Sequence, residues 1–214
     1  MECLGKFLTS DAGMSSLAVV TTSALPHVLP YLPNEVVACL NLSSIALSFG
    51  THIWVGAIAG ITMFKTLPRR TFGKVNSKLF PRYALLHTGT SLIAMYTWLH
   101  HNPMPVSAVL HDVEGRMLMV NIAANLVNSM WLINYTTNIM QQMYAREVEL
   151  ELPNEVGKHS ELKTKGNDDD KKLLRSFGIS HGVAMLMSWA SLGACGAFLY
   201  QMSKRIAATY AIKQ

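Results

Sequence analysis

FKTLPRRTFGKVNSKLFP, residues 64–81, carries five cations and no acid, and it separates two long uncharged segments. Over the whole 214-residue chain, 14% of residues are charged and 50% are apolar. Between the charges lie long uncharged stretches, and we take from them four segments of 29, 17, 29 and 28 residues, at 36–64, 83–99, 117–145 and 176–203. Because a hydrocarbon core of about 30 Å requires about 20 mainly apolar helical residues, the pattern predicts four transmembrane helices, the second at the short limit.

The alternative to membrane spans is a soluble bundle of buried helices. Buried helices of soluble proteins rarely run this long without a charge, which favours the membrane. The segments also lack the sustained alternation of β-strands, and lipid offers no hydrogen bonds to an open sheet edge. We therefore expect an all-α polytopic membrane protein built as a four-helix transmembrane bundle.

The uncharged segments divide the chain into predicted units. These are an N-terminal extension (1–35), a membrane domain (36–203) with a basic loop (65–82) and a flexible, charged cytosolic loop (146–175), and a C-terminal tail (204–214). We expect the extension to lie on the membrane surface or to re-enter the membrane. A fifth span across residues 12–34, which are also uncharged but rich in Ser, Thr and Pro, is the alternative.

Lys and Arg are distributed unevenly between these units. Thirteen of the 18 lie in the loops 65–82 and 146–175, and five lie elsewhere. The positive-inside rule therefore places both cation-rich loops in the cytoplasm, or its topological equivalent, and both termini outside.

Cations recur every four residues from Arg70 to Arg82, and on a helix this spacing forms one basic stripe. Such a helix can lie in the membrane interface with its cations among anionic headgroups. The alternative is that the cations only set the topology. Pro68 and Pro81 are expected to mark where the flanking helices stop and start. The predicted headgroup-binding residues are Arg69, Arg70, Lys74, Lys78 and Arg82.

Three asparagines of the third span, Asn121, Asn125 and Asn128, share one helix face. A carboxamide without a partner in hydrocarbon costs several kcal/mol, roughly 4 or more, so this face should meet another helix or a wet cavity. Contacts between helices and the lining of a solute path are the two interpretations. We take this face as the candidate binding face.

Small residues predict close approach of helix backbones at two places. The first span contains a GxxxG motif, Gly56–Gly60, and the fourth contains Ser191–Ala197. The motif does not distinguish packing within the bundle from a dimer interface.

Three histidines, His52, His87 and His181, lie within the predicted spans. A metal or proton site would need at least two of them to converge, and the predicted spans contain no carboxylate as a partner. We therefore expect ordinary polar contacts and no metal site. The 13 methionines form no Met-x-x-Met-x-x-Met array and are interpreted as apolar filler.

Signatures of common enzymes are missing from the sequence. It contains no GxSxG, P-loop, HExxH or GxGxxG motif. The cysteines, Cys3, Cys39 and Cys195, include no CxxC pair, which supports neither a disulfide framework nor a zinc site. We expect no enzyme activity and no cofactor.

The segment Trp54–Tyr83, WVGAIAGITMFKTLPRRTFGKVNSKLFPRY, resembles the hallmark segment of the transmembrane protein 205 family. Weaker matches are Val127-Asn128, Thr136-Thr137, Arg146-Glu147, Phe177 and His181-Gly182. The resemblance implies a four-helix membrane domain without an agreed biochemical activity, in a family whose vertebrate members are associated with resistance to platinum drugs. The chain departs from the family at its N-terminal 35 residues, and at Asn134-Tyr135 where the family carries Pro-Arg.

These patterns predict an integral membrane protein that aids transport or partitioning of a small solute, lipid or soft metal complex. The alternative is a non-catalytic structural or accessory subunit of a larger membrane complex. Expected partners are the bilayer with its anionic headgroups and, beyond it, a second copy of the chain or complex subunits, without nucleic acid. We expect a plasma membrane or endomembrane location, with the mitochondrial inner membrane as the alternative.

Overall fold

Four long helices dominate the computed structural model, which describes residues 23–157 and 160–212. Residues 23–28 are helical and lead through a 3₁₀ turn, Leu29–Tyr31, into the bundle. The helices are α1 (Asn34–Thr66), α2 (Arg69–His101), the short α3 (Val106–Val109), α4 (Val113–Glu149), the short α5 (Ser160–Lys165) and α6 (Asp168–Ile212). The described residues form no strand. Residues 12–22 of the predicted segment 12–34 lie outside them.

Three of the four long helices, α1, α4 and α6, are long and apolar enough to cross a membrane. Helix α2 is as long as α1 but is less apolar, because its first half is basic. At 1.5 Å per residue its 33 residues extend about 50 Å, well beyond a hydrocarbon core. The predicted span 83–99 is its second half. The expected all-α membrane fold is confirmed.

The predicted basic loop 65–82 is largely helical, because the chain leaves helical geometry only around Leu67 and Pro68. Pro68 sits immediately before α2, as its sequence position suggested. Pro81 lies inside α2 and does not start it. Proline removes one backbone donor, but neighbouring helices let membrane helices tolerate that loss, so its presence did not fix a boundary.

The predicted charged loop 146–175 is shorter in the structure, since α4 continues to Glu149 and α6 begins at Asp168. Between them Leu152 and Leu162 are buried in one cluster with Ile139 and Met143 of α4. In the sequence these leucines stand singly among charges, which suggested too little apolar content for a core. The fold brings them together against α4 and α6. The tail from 204 is likewise helical up to 212.

The bundle is held by α6 packed along α4 and α1, with α2 packed against α1 and α4. Its main apolar core includes Ile45, Trp98, Leu118 and Phe198, one from each long helix. Two π-helical segments, Trp54–Ala59 in α1 and Asn128–Leu132 in α4, shift the helical register. Such segments often occur beside functional sites. The first begins two residues after His52.

Candidate functional site

Two of the intramembrane histidines converge in the fold. His52 of α1 and His87 of α2 have ring centroids 3.8 Å apart, and the ring of Tyr83 lies 4.2 Å from His87 and 5.6 Å from His52. His52 is 5% exposed and His87 is 1% exposed. We refer to His52, Tyr83 and His87 as the histidine cluster.

Both ring nitrogens of His87 are engaged by α1. Ser48 Oγ lies 2.9 Å from Nδ1, and Thr51 Oγ1 lies 3.1 Å from Nε2. The Thr51 hydroxyl donates to the Leu47 carbonyl at 2.7 Å, so we assign the proton of a neutral His87 to Nε2, which donates to Thr51. Ser48 then donates to Nδ1. His87 is therefore fully used in joining α2 to α1.

His52 differs from His87 because only one of its nitrogens is engaged. Its Nδ1 lies 3.0 Å from the Ser48 carbonyl, which can only accept, so Nδ1 carries the proton. In the neutral ring Nε2 keeps its lone pair, and no described residue donates a hydrogen bond to it. The thiol of Cys195, from α6, lies beside the serine that bonds His87, with Sγ 3.8 Å from Ser48 Oγ.

The histidine cluster thus combines an imidazole nitrogen without a described donor, a phenol and a thiol near Ser48. An imidazole lone pair can accept a hydrogen bond from a solute or bind a transition-metal ion. No three His, Cys, Asp or Glu residues in the described part of the chain are grouped as a ready metal site. His181, the third predicted residue, is elsewhere and stacks on Phe177 with centroids 5.6 Å apart.

The predicted asparagine face is buried between helices. Asn125 Nδ2 donates to Ser91 Oγ of α2 at 2.8 Å and to Asn121 Oδ1 at 2.9 Å. Ser191 of α6 donates to Asn121 Oδ1 at 2.6 Å. Asn128 Nδ2 reaches the Ala184 carbonyl at 3.2 Å, so α4 is tied to both α2 and α6. These contacts favour the first of the two interpretations of this face, contacts between helices.

Sequence reasoning missed a second polar stripe, on α1. Asn41, Ser44, Ser48 and His52 are all buried, and Asn41 Nδ2 donates to the Ala94 carbonyl and to Thr97 Oγ1 of α2, each at 2.9 Å. These positions recur at helical spacing along one face of the first span. That periodicity was the available signal, and it pointed to the face that carries the histidine.

The predicted headgroup-binding cations divide into two groups. Arg69 and Arg70 meet the carboxylate of Glu147, with Nε to oxygen distances of 3.3 and 3.8 Å, and we refer to these three residues as the arginine clasp. Both arginines are predicted to bind headgroups, and in the structure a fully buried carboxylate from the end of α4 pairs with them. Lys74, Lys78 and Arg82 are exposed along α2.

The chain after α4 closes over the arginine clasp. Arg69 donates from Nη2 to the Pro153 carbonyl and from its backbone to the Glu155 carbonyl, each at 2.9 Å. Arg70 donates from its backbone to Asn154 Oδ1 at 3.0 Å. The two cation-rich segments therefore meet at one end of the bundle.

A second ion pair lies at the same end, outside the apolar stretch of α6. Arg146 donates from Nε to Asp170 Oδ1 at 2.9 Å and from Nη2 to Oδ2 at 3.2 Å. This bidentate hydrogen bonding lowers the pKa of Asp170 and, together with a bond to Glu149, raises the pKa of Arg146. Asp170 also accepts from the Asn167 backbone at 3.0 Å, which fixes the start of α6.

The small-residue motifs have different environments. Ser191 and Cys195 are buried where α6 meets its neighbours. A Cβ added at Gly56 would meet no atom within 4 Å, so no described helix approaches it. Gly73 is tightly packed instead, because a Cβ there would overlap the ring of Tyr144.

Comparisons with known proteins identify one family model and a relative that resemble this chain. A family model described as a domain of unknown function, DUF4149, matches residues 43–145. Transmembrane protein 205 of Danio rerio is 28% identical over 142 residues, which covers 65% of this chain and 76% of that protein. The resemblance to the transmembrane protein 205-like family is confirmed. No solved structure matches the chain.

The family match covers some of the features described above and leaves out others, such as the Arg146–Asp170 pair. Residues 43–145 include the histidine cluster, the asparagine face and both arginines of the clasp. Glu147 and Cys195, which complete two of these features, lie outside it. Neither name states an activity. The similarity therefore supports a membrane protein, and any functional proposal must be argued from the site.

Proposed function

We propose that this membrane protein aids the transport or partitioning of a small solute and that the histidine cluster is where the solute is held. The observation that carries the proposal is the free Nε2 of His52, a lone pair that no described residue engages, on a side chain that is otherwise buried. Ionisable groups within membrane spans commonly mark solute or ion paths. A neutral hydrogen-bond donor or a soft metal complex fits this nitrogen and the nearby thiol.

The asparagine face has a supporting role in this proposal. It closes the bundle between α4 and its neighbours, so a solute that leaves the histidine cluster along this route requires these contacts to loosen. Two buried amide atoms, Asn121 Nδ2 and Asn128 Oδ1, have no hydrogen-bond partner among the described residues. They can pair with a solute or water when the helices separate, which limits the cost of opening.

We also propose that Lys74, Lys78 and Arg82 rest among anionic headgroups. They are exposed on successive turns of α2, beyond the arginine clasp. Each cation near an anionic surface contributes about 1 kcal/mol to membrane attraction. This contact would fix the depth of α2 and thereby the level of the histidine cluster in the membrane.

The first experiment is to purify the protein natively from its own membranes and to identify bound metals and small molecules by mass spectrometry. His52→Leu removes the free nitrogen, and His181→Leu is the matched control because it removes an intramembrane histidine outside the cluster. We expect the wild type and His181→Leu to carry the same solute and His52→Leu to lose it. Flux of that solute into proteoliposomes should fall with binding.

Two outcomes would contradict the proposal. The first is a wild-type protein that carries no bound solute. The second is a His52→Leu protein that keeps the solute at wild-type stoichiometry. Gel filtration in mild detergent checks that each variant remains folded. Loss of binding counts only for a variant that elutes as the wild type does.

An accessory subunit is the second candidate function, and the exposed Gly56 face favours it. The glycine lies in the first π-helical segment with no helix against it, so another subunit's helix could approach closely there. Gly56→Leu would block that approach while leaving the chain's own packing unchanged. A stoichiometric heteromeric complex that dissociates in Gly56→Leu would support this role, and a lone monomer in the wild type would exclude it.

A further inference from the structure

A cavity lies at the opposite end of the bundle from the arginine clasp, between the start of α4 and the last turns of α6. Its volume is about 340 Å³. Five of its seven lining residues, drawn from both helices, have charged or polar side chains. The lining residues are Asp112, Val113, Glu114, Gln201, Lys204, Arg205 and Ala208.

Glu114 is the fixed element of this cavity. It is 4% exposed, and its Oε2 accepts a hydrogen bond from the indole Nε1 of Trp98 at 2.9 Å and forms an ion pair with Arg205 Nη2 at 3.1 Å. Trp98 is itself buried in the main core. No described residue donates to the other oxygen, Oε1. A buried carboxylate is therefore held rigidly with one oxygen unused at the cavity wall.

Two other charged residues of the cavity also have polar groups without a described partner. Asp112 Oδ1 caps α4 by accepting from the Gly115 backbone at 2.9 Å, and its Oδ2 has no described donor. Lys204 has no acidic partner among the described residues and lies with Nζ 5.7 Å from the Tyr200 ring centroid. The cavity thus has two acceptor oxygens on the α4 side and two cations on the α6 side.

The location of the cavity matches the level of lipid headgroups. Asp112 and Glu114 precede the uncharged stretch 117–145, and Lys204 and Arg205 follow the uncharged stretch 176–203. Basic side chains at the ends of membrane helices extend towards the interface. A ligand there would meet charge of both signs within one small volume.

We propose that this cavity binds a zwitterion that carries a primary ammonium and a phosphate, as in the headgroup of phosphatidylethanolamine. The ammonium donates to Glu114 Oε1 and Asp112 Oδ2, and the phosphate accepts from Lys204 and Arg205. A primary ammonium has three N–H donors for these oxygens, whereas the quaternary ammonium of a choline headgroup has none. The extra carboxylate of a serine headgroup would face two acids.

The test is native mass spectrometry of the full-length protein in detergent with equimolar phosphatidylethanolamine and phosphatidylcholine of the same acyl chains. We expect retained phosphatidylethanolamine to exceed phosphatidylcholine by about tenfold, the effect of a small number of charge-assisted hydrogen bonds. Glu114→Gln preserves the size of the side chain and an acceptor for Trp98, and it should abolish the preference. Lys204→Gln, which breaks no described hydrogen bond or ion pair, should weaken retention of both lipids.

The matched control is Glu149→Gln, which removes a glutamate at the other end of the bundle and should keep the preference. Competition with soluble phosphoethanolamine identifies the source of the zwitterion. Displacement of the lipid supports a site for the headgroup chemistry alone, and lack of displacement supports a site for the membrane lipid. Equal retention of the two lipids by the wild type, or an unchanged preference in a folded Glu114→Gln protein, would overturn the proposal.

Discussion

The two ends of the bundle use similar chemistry in different ways. Each end is centred on a glutamate of α4 that is almost completely buried, Glu147 at 0% and Glu114 at 4% exposure. Glu147 meets Arg69 and Arg70, and the chain at 150–157 closes over them. Glu114 meets Trp98 and an arginine that is 59% exposed, and it lines a cavity.

The difference indicates that closure, meaning coverage of the charges by a neighbouring loop, separates a structural site from a binding site. The ion pair itself does not. At the arginine clasp, backbone carbonyls of the neighbouring loop accept hydrogen bonds from both guanidiniums, so the charges hold α2 and α4 together. At the Glu114 end one carboxylate oxygen and one lysine have no described polar partner. The same buried carboxylate can therefore stabilise the fold at one end and recognise a ligand at the other.

The largest expected effect contrasts the two glutamates. Glu147→Gln leaves two partly or fully buried guanidiniums without a countercharge, so we expect the free energy of unfolding to fall by about 3–5 kcal/mol. Glu114→Gln keeps the Trp98 bond and frees an arginine that water can solvate, so a loss of about 1 kcal/mol or less is expected. Denaturant unfolding in mild detergent measures both. Equal losses would show that closure is not the deciding difference.

A smaller effect is expected from two glycines that lie near the two ends. A Cβ at Gly115 would lie 2.5 Å from the Val109 backbone oxygen, whereas a Cβ at Gly73 would overlap the ring of Tyr144, a side chain that can move. We expect Gly115→Ala to destabilise by about 1–3 kcal/mol and Gly73→Ala by less. Gly89→Ala, with no atom within 4 Å, is the control and should be neutral or slightly stabilising.

The same unfolding measurement ranks these three variants. A loss for Gly73→Ala that exceeds the loss for Gly115→Ala would mean that the ring of Tyr144 is held as rigidly as backbone. In that case the closed end of the bundle is stiffer than its hydrogen bonds imply.

The smallest expected effect is the pH dependence of the Arg146–Asp170 pair. Because the pKa of Asp170 is lowered in the folded protein, its contribution to stability is present above the unfolded value of about 3.9 and is lost as pH falls through the folded value. Asp170→Asn should therefore lower the melting temperature at pH 7 and make little difference at pH 2. A difference from wild type that persists undiminished at pH 2 would contradict this assignment.

Much of the fold could be predicted because lipid imposes strict rules on sequence. Long uncharged segments predicted the spans, and the cation count paired two segments that the arginine clasp brings to one end. The candidate site was harder to predict, because His52 and His87 are separated by 35 positions and by a basic segment that resembles a loop. Only the register between α1 and α2 decides whether their rings meet.

The sequence by itself determined the class of the protein, because the absence of charge over 17 to 29 residues and the excess of cations beside these segments are properties of the chain alone. Tertiary structure decided the use of each polar residue. It turned Arg69 and Arg70 towards Glu147, placed the asparagine face between helices, and left His52 Nε2 and Glu114 Oε1 without described donors. Pairing of polar groups depends on distances between different helices, and periodicity within one helix cannot specify those distances.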